Sequence, residues 1–371
     1  MDMSDEERLQ RRRKKWIWGC TGGCLGLMGA VTAAIIGIYL WCARALPMPP
    51  PETFLTPGTS AFLFVRVAPD DPMMLEVPVR LAMLPGVRGQ VPTKDGRPLK
   101  ANANTIRSAV LGVAPVQLVF VGEPADGARF HWGVALSISR FGRLFGPIAR
   151  ALIAQGAREQ GLAQPETYKG AAISVAEGGA AFAVHRNSYM AALDKPLLRA
   201  WLDGLQAERE RAEPPEGAVP LPAGLDPRLL DAYDRLDRRS PVRFACLNAH
   251  GEVGGLLDLL PLEPARARLR AAGMAGPGVL SVGGQLRSLN SRDASLALRI
   301  ACADEGAVER IQTALAALAD GEELTPHFRE PAVRRQDGTA VELTARIENL
   351  PDRVAALADH LADQGRRAAE P

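Results

Sequence analysis

The chain has 371 residues, 47% of them hydrophobic and 23% charged, with 44 Lys and Arg against 42 Asp and Glu for a net charge of +2. At the usual ~100–200 residues per domain, this length holds one large domain or two small ones with a substantial core. Near-neutral, interspersed charge excludes a basic nucleic-acid-binding surface and a general attraction to polyanions.

Residues 1–15 read as a basic cytoplasmic tail ending in Arg11, Arg12, Arg13, Lys14 and Lys15. Residues 16–43, WIWGCTGGCLGLMGAVTAAIIGIYLWCA, carry no charged side chain. At ~1.5 Å per residue they would make a helix of roughly 42 Å, enough for a bilayer whose hydrocarbon core is ~30 Å thick. The run predicts a single transmembrane helix, with Trp16 and Trp18 at one boundary and Tyr39 and Trp41 at the other. Basic residues precede it while only Arg44 directly follows, which predicts a cytoplasmic N-terminus. Ala43-Arg44-Ala45 has the form of a signal-peptidase site, but the apolar run exceeds the ~7–15 residues of a cleavable signal. Gly19, Gly23, Gly26, Ala30, Ala33 and Gly37 recur at four-three-four-three-four spacing, a pattern that predicts close helix packing and a homodimer through this segment.

Residues 44–58, with LPMPPPETFLTPG, read as a short Pro-rich stalk in extended polyproline II conformation. Residues 59–212 form a first α+β module. Its strand AFLFVRVA is followed by a helix that Pro78 must kink or end. The runs PVQLVFV and RFHWGVALSIS then flank a hairpin turn. A helix carries Phe141, Leu144, Phe145, Ile148 and Leu152 on one stripe. Three short strands (AAISVAE, AAFAVHR, SYMAALD) lead into the helix PLLRAWLDGLQAERER. Residues 213–227, EPPEGAVPLPAGLDP, are a linker by composition. Residues 228–366 form a second α+β module in which the order of elements recurs, and residues 367–371 are a disordered tail. Asp231, Asp234 and Asp237 fall at helix-neighbour spacing among arginines, a salt-bridged solvated face.

The expected fold is therefore α+β: a single transmembrane helix followed by two tandem βαββαβ-like modules with antiparallel sheets, an order that contains the split βαβ of ferredoxin-like units. Tyr168-Lys169-Gly170, leading through AISV and AFAVHRNSYMAAL to KPLLRAWLDGL, is similar to the aromatic-x-Gly, strand, hairpin, strand, helix unit of bacterial envelope families known only as domains of unknown function. The resemblance covers Thr59 to Gln364. It implies a membrane-anchored envelope protein and brings no catalytic residues.

Chemistry-bearing motifs are few. His131, His185, His250, His327 and His360 stand singly, without HExxH, and GxSxG, GxxxxGK[ST] and a helix-opening GxGxxG are absent. No catalytic, cofactor-binding or metal-ligating residue is assigned. In RFHWGVALSIS, period two sets Trp132, Val134, Leu136 and Ile138 on the core face and His131 with Ser137 and Ser139 on the more polar one. His250-Gly251-Glu252 precedes a helix that could receive an anion. Cys246 and Cys302 read as small core residues that could pair if their strands were neighbours.

The function expected from these residues is a non-enzymatic, single-pass protein of the bacterial inner membrane. Its ectodomain, outside the cytoplasm, binds an envelope protein or a ligand. The alternative is an extracytoplasmic enzyme or small-molecule sensor with its site between the modules.

Overall fold

The computed structural model describes residues 37, 40–84, 102–124, 130–159, 165–176, 178–210, 221–258, 263–321 and 328–369, and divides into two compact units, Met1–Ala45 and Leu46–Pro371. Trp16, Trp18, Tyr39, the packing residues Gly19, Gly23, Gly26, Ala30 and Ala33, and the basic run 11–15 lie outside the described residues. Gly37 and Trp41 are helical and exposed.

The expected single-pass, membrane-spanning architecture is corrected. Among the described residues, no helix is long and apolar enough to cross a membrane. A crossing needs about 20 mostly apolar residues. The 20-residue helix Leu350–Ala369 has the length but carries Asp352, Arg353, Asp359, Asp363, Arg366 and Arg367.

In the second unit, the segment expected as a stalk packs into the fold. Leu46 N donates to Ser139 O at 2.8 Å, and Gln117 Nε2 donates to Pro49 O at 3.0 Å. The 3-10 turn Pro51–Phe54 buries Phe54 completely.

The first half contains β1 (Ala61–Val67), α1 (Pro72–Ala82), α2 (Ala103–Val113), β2 (Val116–Pro124), β3 (Phe130–Ile138), α3 (Gly142–Glu159), β4 (Glu166–Tyr168), β5 (Ala171–Val175), β6 (Ala181–His185), β7 (Ser188–Ala192) and α4 (Lys195–Glu210). The second half contains α5 (Pro227–Asp234), β8 (Val242–Leu247), α6 (Glu252–Asp258), α7 (Glu263–Ala271), β9 (Val279–Ser288), β10 (Ala294–Cys302), α8 (Glu305–Asp320), β11 (Arg329–Gln336), β12 (Ala340–Ile347) and α9 (Leu350–Ala369).

The twelve strands among the described residues join one antiparallel sheet in the order β11-β12-β10-β9-β8-β1-β2-β3-β7-β6-β5-β4. The expectation of two modules, each with its own βαββαβ-like sheet, is corrected to this single sheet. In a split βαβ unit the strands joined through a helix are separated by an inserted strand, whereas here β1 and β2, joined through α1 and α2, pair directly and antiparallel, as do β8 and β9. The halves meet where β1 pairs β8, with Leu63 opposite Phe244. From that seam outward the first half runs β1-β2-β3-β7-β6 and the second β8-β9-β10-β12-β11, so the order of elements repeats. The hairpin β4–β5 extends only the first half.

Helices form where apolar spacing and caps agree. The α4 helix buries Leu197, Leu198, Trp201, Leu202 and Leu205 on one stripe, and Asp194 Oδ1 accepts from Leu197 N at 2.9 Å at its start. Asp304 caps α8 through Ala307 N at 2.7 Å, and Asp71 caps α1 through Met74 N at 3.0 Å. Pro78 does not end α1, which continues to Ala82. Its Met73, Met74, Leu75 and Val79 are buried, and this packing outweighs the backbone bond that proline removes.

One apolar cluster joins α4, α5 and the 3-10 turn to Phe62, Phe64, Val119, Val121 and Ala135 on one side of the sheet. On the alternate strand positions, Ala61, Cys246, Val282 and Ile300 pack with α6, α7 and α8, and Val65, Val67 and Leu296 with α1 and Leu350. In β3 the expected faces hold for Ile138, which is buried, and for His131, which is exposed, but fail at the positions between them. Ala135, Ser137 and Ser139 are buried, whereas Trp132 is 40% exposed. The cause is Trp201: a Cβ at Gly133 would sit 2.4 Å from its ring. The small side chains are there because a large one covers them.

Candidate functional site

The 3-10 turn carries Glu52 into the interior. Its carboxylate, 7% exposed, accepts from the hydroxyl of Tyr233 on α5, and Arg243 Nη1 of β8 donates to that same hydroxyl at 3.3 Å. Tyr233 and Arg243 are 3% and 4% exposed. Phe62 meets the Tyr233 ring edge-on at 5.0 Å between centroids, and the Arg243 guanidinium lies 4.3 Å from the centroid of Phe64. The buried cation thus rests on an aromatic face and reaches its carboxylate through a phenol. Burial first, and the Glu52 carboxylate second, push the Tyr233 hydroxyl well above its ordinary value. A protonated phenol can both donate to Glu52 and accept from Arg243, as this relay requires.

On its other side Glu52 lines a groove of about 380 Å³. One wall is the turn and its continuation, Thr53, Leu55, Thr56 and Pro57; the second is the α4 face of Ala200, Gly204, Ala207 and Glu208; the third is Leu221–Ala223. The groove therefore lies where the first half hands over to the second. Gly204 sets its width, because a Cβ there would lie 2.6 Å from Thr53 O. Thr56 Oγ1 donates to Glu123. Thr53 Oγ1 and Arg243 Nε are buried with no hydrogen-bond partner among the described residues. The polar groups facing the groove are carboxylates and threonines set among Ala, Leu and Pro.

The residues singled out in the sequence are scattered. His131 Nδ1 lies 2.8 Å from Asp194 Oδ2 in an exposed pair. Glu252 Oε2 accepts from His250 N at 2.7 Å, and Asn248 Oδ1 accepts from Val253 N at 3.1 Å in the first turn of α6. Cys246 and Cys302 are free and buried, in β8 and β10 with β9 between them. Asp231 and Asp234 pair with Arg235 and Arg238 at 2.9 and 3.8 Å, as expected of a salt-bridged face. In Tyr168-Lys169-Gly170, Lys169 and Gly170 have φ of 49° and 77°, the left-handed turn between β4 and β5 that favours glycine, and Tyr168 donates to Asp203 at 2.9 Å. His327 lies outside the described residues. Among the described residues, no group of three or more His, Cys, Asp or Glu is placed to hold a metal. Glu52, Tyr233 and Arg243 carry no local signature, being 181 and 10 residues apart in the two bonded pairs.

No family model matches the chain, and neither a curated protein nor a solved structure matches it.

Proposed function

We infer that Leu46–Pro371 is a non-enzymatic binding module whose groove beside Glu52 receives an extended segment of a partner protein carrying a basic side chain. One observation supports this reading above the others: Glu52 and Glu208 give the groove an acidic lining on an apolar floor, and the relay through Tyr233 holds Glu52 in place. An apolar cleft with a few fixed polar groups suits recognition of a peptide-sized ligand.

The test is a fluorescence-polarisation titration with labelled decapeptides of Leu, Pro, Gly and Ser containing two Arg, against the same peptides with Asp in place of Arg. The basic peptides are expected to bind, and Ala207→Trp, which fills the groove from an exposed position, and Glu208→Lys are each expected to weaken binding at least tenfold. Equal binding of acidic peptides, no binding of either set, or binding indifferent to both substitutions would sink the proposal. So would labelling by a serine-hydrolase probe that a single groove substitution abolishes.

A further inference from the structure

The β6–β7 turn collects cations from two helices. Gly142 and Gly146 seat α3 on it: a Cβ would lie 2.6 Å from Asn187 Cβ at the first and 2.7 Å from Arg186 O at the second. Arg150, four residues after Gly146, falls in the same row, while Leu144, Phe145 and Ile148 point away and are 44%, 40% and 47% exposed. The other helix, α4, starts directly after β7 and packs against β6 and β7. Because β7 leads away from the turn, α4 returns toward it, and about 24 Å of helix outreaches about 17 Å of strand. Arg209 in its last turn extends the buried stripe of Leu198, Leu202 and Leu205.

Charge at this corner has one sign. Arg150, Arg186 and Arg209 are exposed, and among the described residues none of their side chains has an ion pair or a hydrogen bond. All three bear on His185, half-buried at the end of β6, which burial first and then Arg186, Arg209 and Arg150 lower from its ordinary value, with no carboxylate opposing them. Burial raises the Tyr189 hydroxyl and Arg150 opposes that rise; the hydroxyl is buried with no hydrogen-bond partner among the described residues. The acids nearest in sequence are engaged elsewhere. On α4, Glu208 lines the groove and Glu210 accepts from Gln206 Nε2 at 2.6 Å, and α3 has no Asp or Glu before its final residue, Glu159. Arg186 itself has a φ of 54°. A large cation is thus kept at a left-handed position where the backbone favours glycine.

From the convergence of Arg150, Arg186 and Arg209 on the β6–β7 turn, we propose that this corner binds the phosphoryl group of a small soluble molecule. Three like charges gathered around one imidazole repel one another, and an anion set between them turns that repulsion into attraction. A phosphate offers three strong acceptor oxygens, one for each guanidinium, and the planar fork of arginine matches it in bidentate fashion. A lone carboxylate, with two oxygens and one charge, would leave the third arginine unmatched. His185 adds an N–H donor at the same place. The phosphate of a lipid headgroup fits less well, because α3 covers the turn along the row that carries Arg150.

Isothermal titration of the protein with inorganic phosphate and with pyrophosphate, at constant ionic strength, is expected to show saturable binding that acetate does not reproduce. Arg186→Gly should weaken that binding at least tenfold while the urea midpoint holds or rises, since glycine suits the left-handed backbone. Arg150→Gln/Arg209→Gln, at two exposed positions, should weaken it as much with an unchanged circular dichroism spectrum. Bound pyrophosphate should also raise the pH at which the His185 imidazole titrates in NMR spectra, because a neighbouring anion favours the charged ring. No saturable binding, equal binding of acetate, or binding that survives both sets of substitutions in folded protein would overturn the proposal. So would flotation with phosphatidic acid vesicles by a protein that binds neither soluble anion, since the phosphoryl group would then belong to a lipid.

Discussion

Tyr233 on α5 donates its hydroxyl proton to Glu52 in the 3-10 turn, tying the beginning of the folded unit to the first helix of its second half. The bond matters because Arg243, equally buried, reaches the carboxylate only through that hydroxyl.

Removing the relay should therefore cost more than one hydrogen bond. Tyr233→Phe leaves a buried carboxylate and a buried guanidinium without their shared partner, a loss of about 1–3 kcal/mol. Glu52→Ala leaves Arg243 uncompensated and should cost about 3–5 kcal/mol. Urea unfolding monitored by circular dichroism gives both values. In the cycle with Arg243→Met, the double variant Glu52→Ala/Arg243→Met should be more stable than Glu52→Ala alone. Strict additivity of the two single substitutions would show that the groups do not act together.

Gly133 and Trp201 set the packing of α4 on the sheet. Gly133→Ala drives a methyl group into the indole and is expected to destabilise by about 1–3 kcal/mol. Val134→Ala, one residue along on the more open face, should cost clearly less. A thermal melt of each variant checks the order. Equal losses would mean that Trp201 gives way freely.

Acid should act through Asp293. Its carboxyl is held at about 2 by the side chain of Asn290 first, then by Arg346 and the backbone N–H of Asn349. The ordinary value is about 3.9, so the folded state holds this proton more weakly than the unfolded chain. The stabilisation is present above about pH 4 and is lost as pH falls toward 2. The melting temperature of the native protein should drop across that window more steeply than that of Asp293→Asn. Parallel curves would remove Asp293 from the acid response.

The two strand cysteines should be silent while the protein is folded. Burial, with Glu252 adding to it, pushes the Cys246 thiol up to about 12, and burial likewise raises Cys302. Thiols, unlike thiolates, are poor nucleophiles. At pH 8 neither should react with a disulfide reagent until denaturant is added, as mass spectrometry of labelled peptides would show. Rapid labelling of Cys246 in the native state would contradict its burial.

What could be read from the residues was what repeats over short distances. The stripe of α4, the Asp231–Arg235 face and the β5, β6 and β7 hairpins all follow from local periodicity and turn residues. Strand β11, REPAVRRQ, escaped because Pro331 and three arginines look like a loop, yet they suit an edge strand that must not recruit another. The face of β3 was misassigned because its inward residues are small. Their partner, Trp201, comes from a helix more than 60 residues later. The relay at Glu52 was invisible for the same reason, as was the pairing of β1 with β8 that makes one sheet of two halves.

That central pairing bears on how the chain is made. During synthesis from the N-terminus, β1 emerges long before β8, and until β8 arrives the inner edge of β1 has an unpaired row of backbone donors and acceptors. The residues paired with β8, Ala61 to Val65, are uncharged strand formers, and Arg66 alone in β1 carries a charge to deter a stranger. A chain stopped near residue 227 would keep that edge for good, and its fate would be to pair with the same edge of another stalled chain or to be bound by a chaperone. The second half is thus also the cover that ends the first half's exposure.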